Sequence, residues 1–260
     1  MRLVTKLLLV VALAGWTASA QKDEFRWKGR VASGKTIEVK GINGGVRADT
    51  AAGDEIEVVA TKTARRSDPQ QVEIKVLEHA DGVTICAVYP SPDGDRPNEC
   101  KPGSGGRMGT RDNDVQVEFA VRVPEGVRFV GRTVNGKIEA SVRGDVEAHT
   151  VNGSVNISTR GHAEAKTVNG GITASMGSAD GSRALAFETV NGSVTVELPD
   201  RANAEVRAET VNGGIETDFP LTVQGKFGPR KVSGTIGSGG RSLSIKTVNG
   251  SIRLRKGNVV

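Results

Sequence analysis

The sequence predicts an all-β protein, a single elongated β-solenoid of the β-helix-like kind, and two observations lead to that prediction. The tetrapeptide Thr-Val-Asn-Gly occurs six times in the second half of the 260-residue chain, and an alternation of apolar and polar residues follows the copies. A short unit that recurs at a nearly fixed interval is typical of repeat architectures, and alternation with a period of two is typical of β-strands.

The repeats are 16–22 residues long and are punctuated by Asn-Gly. The asparagines are separated by 17, 17, 22, 21 and 37 residues, and we interpret Lys231-Val232-Ser233-Gly234 as a degenerate copy that divides the last interval into 21 and 16. The repeat turns are Asn135-Gly136, Asn152-Gly153, Asn169-Gly170, Asn191-Gly192, Asn212-Gly213 and Asn249-Gly250.

A β-branched aliphatic residue stands two positions after the glycine of every copy, the degenerate copy included. Polar and apolar residues then alternate, and the residue before each threonine is charged or polar, so that position is expected to face solvent. We predict that the aliphatic residues form one stacked core column: Ile138, Val155, Ile172, Val194, Ile215, Ile236 and Ile252.

Two turns close each repeat. Asn-Gly is a strong turn signal because glycine adopts positive φ without steric cost and asparagine tolerates it. In the 17-residue units a second turn is expected at Arg143-Gly144-Asp145 and again at Arg160-Gly161-His162. Each unit therefore supplies two short strands.

Stacking is the way such units bury their apolar faces, since one unit alone has no core. Rungs about 4.8 Å apart place each aliphatic side chain on the one before it, and stacked asparagines can form an amide ladder. An antiparallel β-meander joined by Asn-Gly hairpins is the alternative, because a two-residue loop preserves the same alternation.

Strand patterns also precede the first identical repeat, at 36–40, 55–59, 72–76, 83–88 and 115–121, and Gly41-Ile42-Asn43-Gly44-Gly45-Val46 resembles an early copy. We divide the chain into a signal peptide at 1–20, an N-terminal β section at 21–130 with a disulfide-loop insertion at about 67–114, and the repeat solenoid at 131–260, which continues the same domain.

The first twenty residues have the pattern of a secretory signal peptide. Arg2 and Lys6 precede an apolar run from Leu7 to Gly15, and Ala18-Ser19-Ala20 is a small-residue cleavage site. No run of about 20 apolar residues follows, so no transmembrane segment is predicted in the mature chain. We expect an exported protein, periplasmic or extracellular in the cell envelope.

Cys86 and Cys100 are the two cysteines of the chain. In an exported protein an even pair predicts a disulfide. The residues between them are rich in proline, glycine and aspartate, so the bridge is expected to staple a long loop that has no core of its own.

The Asn-Gly-punctuated β repeats, the export signal and the strand-rich lead-in resemble the bacterial "putative adhesin" family of domains, DUF4097, over most of residues 25–256. The resemblance implies a β-solenoid fold in an exported or envelope protein, and it offers no catalytic motif.

No catalytic, cofactor-binding or metal-binding residues are predicted. His79, His149 and His162 are expected to be exposed and apart, and Asp93, Asp95, Asp112 and Asp114 match no calcium-loop spacing. The charges are mixed in sign along the chain, which is not the footprint of nucleic-acid binding.

The export signal, the family resemblance and the lack of a catalytic grouping favour a non-enzymatic envelope protein. We expect an adhesin or scaffold whose partner is an envelope or surface protein or polymer and whose oligomeric state is open. A periplasmic polysaccharide-binding or polymer-binding module is the alternative, although Trp27 and Tyr89 are the only Trp and Tyr beyond residue 20. A solenoid polysaccharide lyase or hydrolase is a further one, because Glu188 and Glu209 share a repeat position and would stack two acids.

Overall fold

The computed structural model describes residues 21–177, 183–224 and 230–257. Within these residues the chain forms two long β-sheets and one short 3₁₀ helix at Pro69–Gln71. The predicted signal peptide, 1–20, lies outside the described residues. No described helix has the length and apolar character that a membrane crossing requires.

The first sheet, sheet A, has ten described strands. In spatial order they are β1 (Gln21–Gly29), β4 (Ile56–Ala64), β7 (Gln116–Val123), β3 (Val46–Thr50), β9 (Ile138–Val142), β11 (Val155–Thr159), β13 (Ile172–Met176), β15 (Val194–Leu198), β21 (Ile252–Lys256) and β17 (Ile215–Thr217).

The second sheet, sheet B, has eleven described strands. In spatial order they are β18 (Thr222–Gln224), β19 (Arg230–Ile236), β16 (Ala204–Asn212), β20 (Arg241–Asn249), β14 (Leu185–Glu188), β12 (Ala163–Lys166), β10 (Val146–His149), β8 (Arg128–Arg132), β2 (Thr36–Lys40), β6 (Gly82–Val88) and β5 (Glu73–His79).

Each repeat contributes one strand to each sheet, and an Asn-Gly corner joins the two. Strands of successive repeats pair in parallel and in register, for example Val155 with Ile138 and with Ile172. The prediction of a stacked β-solenoid is therefore confirmed, and the alternative of an antiparallel meander is wrong. Antiparallel pairing is found near the two ends of the stack, at β1–β4–β7, β5–β6 and β16–β19–β18.

The core column runs through sheet A and contains buried residues from Val46 onward, in line with Ile138. Inward residues of both sheets belong to one hydrophobic cluster. In spatial order the column is Val46, Ile138, Val155, Ile172, Val194, Ile252 and Ile215.

Two members of the predicted column differ from expectation. Ile236 is buried, but it lies at the end of β19, in sheet B, opposite Ala204. The interpretation of Lys231–Gly234 as a degenerate repeat is therefore wrong, because β19 is antiparallel to β16 and no Asn-Gly corner exists there. Ile215 is in the column but is half-buried, since β17 is the last strand of sheet A.

The last repeat is inserted out of sequence order. Strands β20 and β21 lie between β14–β15 and β16–β17, so Val194 packs beside Ile252 rather than beside Ile215. A similar insertion occurs near the other end, where β2–β3 separate β6–β7 from β8–β9. Asn43 stacks on Asn135, as expected of an early repeat copy.

The segment predicted as an insertion, about 67–114, is in part sheet structure. Its hairpin β5–β6 joins sheet B through the parallel pairing of β6 with β2. Apart from one isolated bridge, Glu99 with Arg107, residues 89–115 form the irregular part. Cys86 and Cys100 are bonded as a disulfide with Cα atoms 5.8 Å apart, at the base of this loop.

Candidate contact surface

Each residue of Thr-Val-Asn-Gly occupies a different environment at the corner. The threonine is buried and its hydroxyl donates to the glycine carbonyl of the neighbouring rung, as from Thr167 to Gly153 O at 2.9 Å. The asparagine is exposed and its amide donates to the asparagine of the neighbouring rung, as from Asn169 Nδ2 to Asn152 Oδ1 at 2.8 Å. The valine lies between them and faces solvent.

The repeat glycine is required for a reason that the sequence did not show. The six repeat glycines do not adopt positive φ, and the repeat asparagines do not either. A Cβ built on Gly170 lies 2.0 Å from the carbonyl oxygen of Gly153. Close approach of the neighbouring rung, rather than a left-handed turn, therefore selects glycine at this corner.

The amide ladder runs in one direction along the solenoid. Each asparagine Nδ2 donates to the Oδ1 of its neighbour at 2.8–2.9 Å. The order of the ladder is Asn43, Asn135, Asn152, Asn169, Asn191, Asn249 and Asn212.

A row of exposed valines lies beside this ladder, and we name it the valine stripe. Five of its side chains are 39–45% exposed, and they are the only large apolar side chains classed as exposed among the described residues. Exposed apolar side chains that lie together in one row, rather than singly, mark candidate interaction sites. The stripe consists of Val134, which is half-buried, and Val151, Val168, Val190, Val248 and Val211.

A second outward row, the charged column, consists of the residues one position before the six repeat threonines and of Lys231, which pairs with Glu209 between β19 and β16. Its side chains are 22–53% exposed, in keeping with the expected solvent-facing position. In spatial order the column is Arg132, His149, Lys166, Glu188, Lys246, Glu209 and Lys231. Lys246 lies between Glu188 and Glu209, so the two acids expected to stack are kept apart.

A groove of about 470 Å³ runs between the charged column and the valine stripe. Its floor is the row of repeat threonines, whose hydroxyls are already engaged with glycine carbonyls. We use "contact face" for the asparagine ladder, the valine stripe, the charged column and this groove together.

Charged side chains on β2, β8 and β10 of sheet B form an ion-pair network, which includes Arg132 and His149 of the charged column. Arg132 Nε donates to Glu38 Oε1 at 2.9 Å, and both Arg128 and Arg132 form ion pairs with Glu147. The hydrogen bond from His149, together with the nearby positive charges, lowers the pKa of Glu147 to about 2. Both carboxylates are therefore paired with cationic side chains of the same network.

The disulfide loop is held against sheet B by two buried charged residues. Lys40 Nζ donates to the carbonyl oxygens of Lys101, Gly103 and Gly105 at 2.8–2.9 Å. Glu38 Oε2 accepts from the backbone N–H of Gly103 at 2.8 Å. Burial lowers the pKa of Lys40. These contacts hold the loop in place, and the polar groups of Lys40 and Glu38 are used in doing so.

The histidines and loop aspartates do not assemble into a reactive cluster in the described part of the chain. His162 is buried rather than exposed, with Nδ1 3.2 Å from a nitrogen of Arg241, and burial lowers its pKa. Asp114 accepts from three successive backbone N–H groups, at 65–67, and its pKa is about 2 for that reason. No three His, Cys, Asp or Glu side chains are arranged to hold a metal ion there.

The profile of the Toastrack DUF4097 family matches residues 33–255 of the chain. The chain belongs to the Toastrack DUF4097 family. The resemblance drawn from its repeats is thus confirmed. No curated protein matches the chain.

Solved structures similar to this Toastrack protein carry adhesion names. A "putative cell adhesion protein" from Clostridium sporogenes is 12% identical, with a TM-score of 0.49, over 91% of this chain and all of that one. A "putative adhesin" from Bacteroides fragilis is 11% identical, with a TM-score of 0.34, over 89% of this chain and 97% of that one. One from Parabacteroides distasonis is 10% identical, with a TM-score of 0.23, over the same shares. At these values the similarity carries no conclusion about function.

Proposed function

We propose that this Toastrack protein is a non-enzymatic, exported protein of the cell envelope, an adhesin or scaffold that meets its partner through the contact face. One observation carries the proposal: the large apolar side chains exposed among the described residues all belong to the valine stripe. A continuous apolar row with a polar border is characteristic of protein interaction sites.

The arrangement of charges supports binding rather than catalysis. A glycosidase needs two carboxyl groups facing one bond, one of them able to protonate a leaving group. Here Glu188 and Glu209 are separated by Lys246. The hydrogen bond from His149, together with Arg132 and Arg128, lowers the pKa of Glu147 and keeps it ionised. The repeat construction also lets the outward residues vary without disturbing the buried column.

Polymer binding is the second candidate, and one observation favours it. The outer face of sheet A carries a shallow depression of about 330 Å³, whose lining includes the uncharged polar residues Asn156, Ser158 and Thr173 beside the charged Arg47, Asp49 and Glu139. Aromatic platforms for stacking on sugar rings are lacking in the described residues, because Tyr89 is buried and Trp27 packs against the core.

The test compares the two faces. Residues 21–260 are immobilised as wild type, as the contact-face variant Val190→Asp/Val248→Asp, and as the opposite-face control Thr173→Asp/Thr195→Asp. Each is exposed to envelope proteins and to envelope glycans, with turnover assayed on any glycan retained. Circular dichroism verifies that all three are folded.

We expect an envelope protein to bind the wild type and the control and to be lost by the contact-face variant. Retention of a glycan that only the Thr173→Asp/Thr195→Asp variant loses would favour polymer binding on sheet A. Cleavage of a glycan would contradict the non-enzymatic proposal.

A further inference from the structure

We propose that the partner of the contact face is a second copy of this chain, docked antiparallel about a two-fold axis between β14 and β20. The inference rests on the proposed contact function and names its partner. Its basis is the charge order that the inserted last repeat creates on the contact face.

The charged column alternates strictly in sign over four neighbouring strands. From β12 through β14 and β20 to β16 the residues are Lys166, Glu188, Lys246 and Glu209. Stacking in sequence order would instead have placed the two acids together. The out-of-order insertion is therefore what produces the alternation.

This alternation is complementary to its own reverse. The two-fold axis lies in the interface, runs parallel to the strands and passes between β14 and β20. It places Lys166 opposite Glu209 of the second copy and Glu188 opposite Lys246 of the second copy. A parallel arrangement in the same register would place lysine on lysine and glutamate on glutamate. An isologous two-fold contact is the commonest form of association between identical chains.

The valine stripe obeys the same symmetry. The axis brings Val190 opposite Val248 of the second copy and Val168 opposite Val211, so apolar groups meet apolar groups. Each lysine or glutamate then faces an opposite charge of the second copy and also lies beside an opposite charge of its own chain. Glu188 Oε1, for example, lies 3.7 Å from Lys246 Nζ of the same chain. The pairing ends after four rungs, because His149 would meet Lys231.

Spacing favours a second copy over a peptide. Strands in the stack repeat at about 4.8 Å, whereas side chains on one face of an extended peptide repeat at about 6.6 Å. A peptide therefore loses register with the charges within two rungs, but a second copy has the same spacing throughout. The mixed signs also exclude nucleic acid as the occupant.

The contact is expected to be weak. Four rungs extend about 14 Å along the stack, so the area falls below the roughly 800 Å² per partner of a standard stable complex. Weak contacts of this kind become effective when many copies are displayed on one surface, because later contacts form at high effective concentration.

Sedimentation equilibrium of residues 21–260 tests the pairing with charge variants. We expect wild type to show a monomer–dimer equilibrium and the single variants Glu188→Lys and Lys246→Glu each to raise the dimer Kd by about tenfold or more. An equimolar mixture of the two single variants should regain the wild-type Kd, and so should the double variant Glu188→Lys/Lys246→Glu. In the antiparallel register both restore every opposite-charge pair. High salt should weaken the wild-type dimer.

Three results would overturn the inference. Wild type that stays monomeric at about 1 mM has no useful self-affinity. Single variants that dimerise as well as wild type, or a double variant that does not recover, would exclude this register. If the face variant loses an envelope protein while wild type remains monomeric, the contact function stands and the second-copy partner fails; if neither assay shows binding, both fail.

Discussion

At the residue scale, the repeat unit is explained by contacts between rungs. Thr167 donates inward to Gly153 O, Asn169 continues the amide ladder, and Gly170 leaves room for a carbonyl of the neighbouring rung. The sequence predicted the asparagine ladder, because amides stacked in register are a known pattern. The role of glycine was not predictable, since it depends on an atom that lies one rung away rather than on local backbone preference.

Gly170→Ala should be strongly destabilising. Its Cβ would lie 2.0 Å from Gly153 O, so two rungs must separate. Forced overpacking of this size costs about 3 kcal/mol in the free energy of unfolding. The matched control is Gly214→Ala, whose Cβ has no neighbour closer than 3.8 Å, with an expected change within about 1 kcal/mol. Urea unfolding measures both, and equal losses would refute the close-approach explanation.

The lowered pKa of Glu147 predicts that the protein loses stability in acid. Its pKa is lowered to about 2 by the hydrogen bond from His149 and by Arg132 and Arg128, whereas its ordinary value is 4.5. A depressed pKa stabilises the fold above pH 4.5, and this contribution disappears as the pH falls towards 2. This contribution to the free energy of unfolding is on the order of 3 kcal/mol.

Thermal unfolding between pH 7 and pH 2 measures this effect. Glu147→Gln should lower the melting temperature at pH 7 and flatten the decline between pH 4.5 and pH 2. Glu125→Gln, whose side chain is 71% exposed, is the control and should keep the wild-type profile. An unchanged slope in Glu147→Gln would show that this carboxylate is not responsible.

At the element scale, alternation in the sequence identified most strands and their inward faces. The pattern around Ile172 and Thr173 is seen in β13, where the first is buried and the second exposed. It failed at Ile236, because period-two alternation is the same in parallel and antiparallel strands and contains no information about the partner strand. His162 was also predicted wrongly to be exposed: it is buried and contacts Arg241, which is distant in sequence.

Ile172→Asp should prevent folding of the mature chain. The substitution puts an unpaired carboxylate in the middle of the core column, at a side chain that is 1% exposed, and a buried unpaired charge costs about 4 kcal/mol or more. Thr173→Asp, the adjacent outward position, should change stability by about 0.5 kcal/mol or less. Circular dichroism and urea unfolding compare the two, and similar losses from both would contradict the assigned faces of β13.

At the scale of the whole molecule, the sequence predicted a stacked solenoid but not the order of its last rungs. All copies have the same tetrapeptide and can pair with one another in the same register. The tetrapeptide therefore does not specify which repeat lies next to which in the stack. The long interval before Asn249 contains β17–β19, which lie at one end of the two sheets. After these strands the chain returns to place β20 and β21 one position further inside the stack. The alternating charges of the contact face, and with them the proposed pairing, follow from that order.

Engineered disulfides between valines of the stripe test this order most directly. Neighbouring rungs place Cα atoms about 4.8 Å apart, within the 4.4–6.8 Å range of disulfides, whereas rungs two apart are separated by about 9.6 Å. On mild oxidation of dilute monomer, the two new cysteines of Val190→Cys/Val248→Cys should therefore form a disulfide. Those of Val190→Cys/Val211→Cys should stay as free thiols. Mass spectrometry counts the free thiols in both variants. Cross-linking of the second pair instead of the first would show that the repeats stack in sequence order.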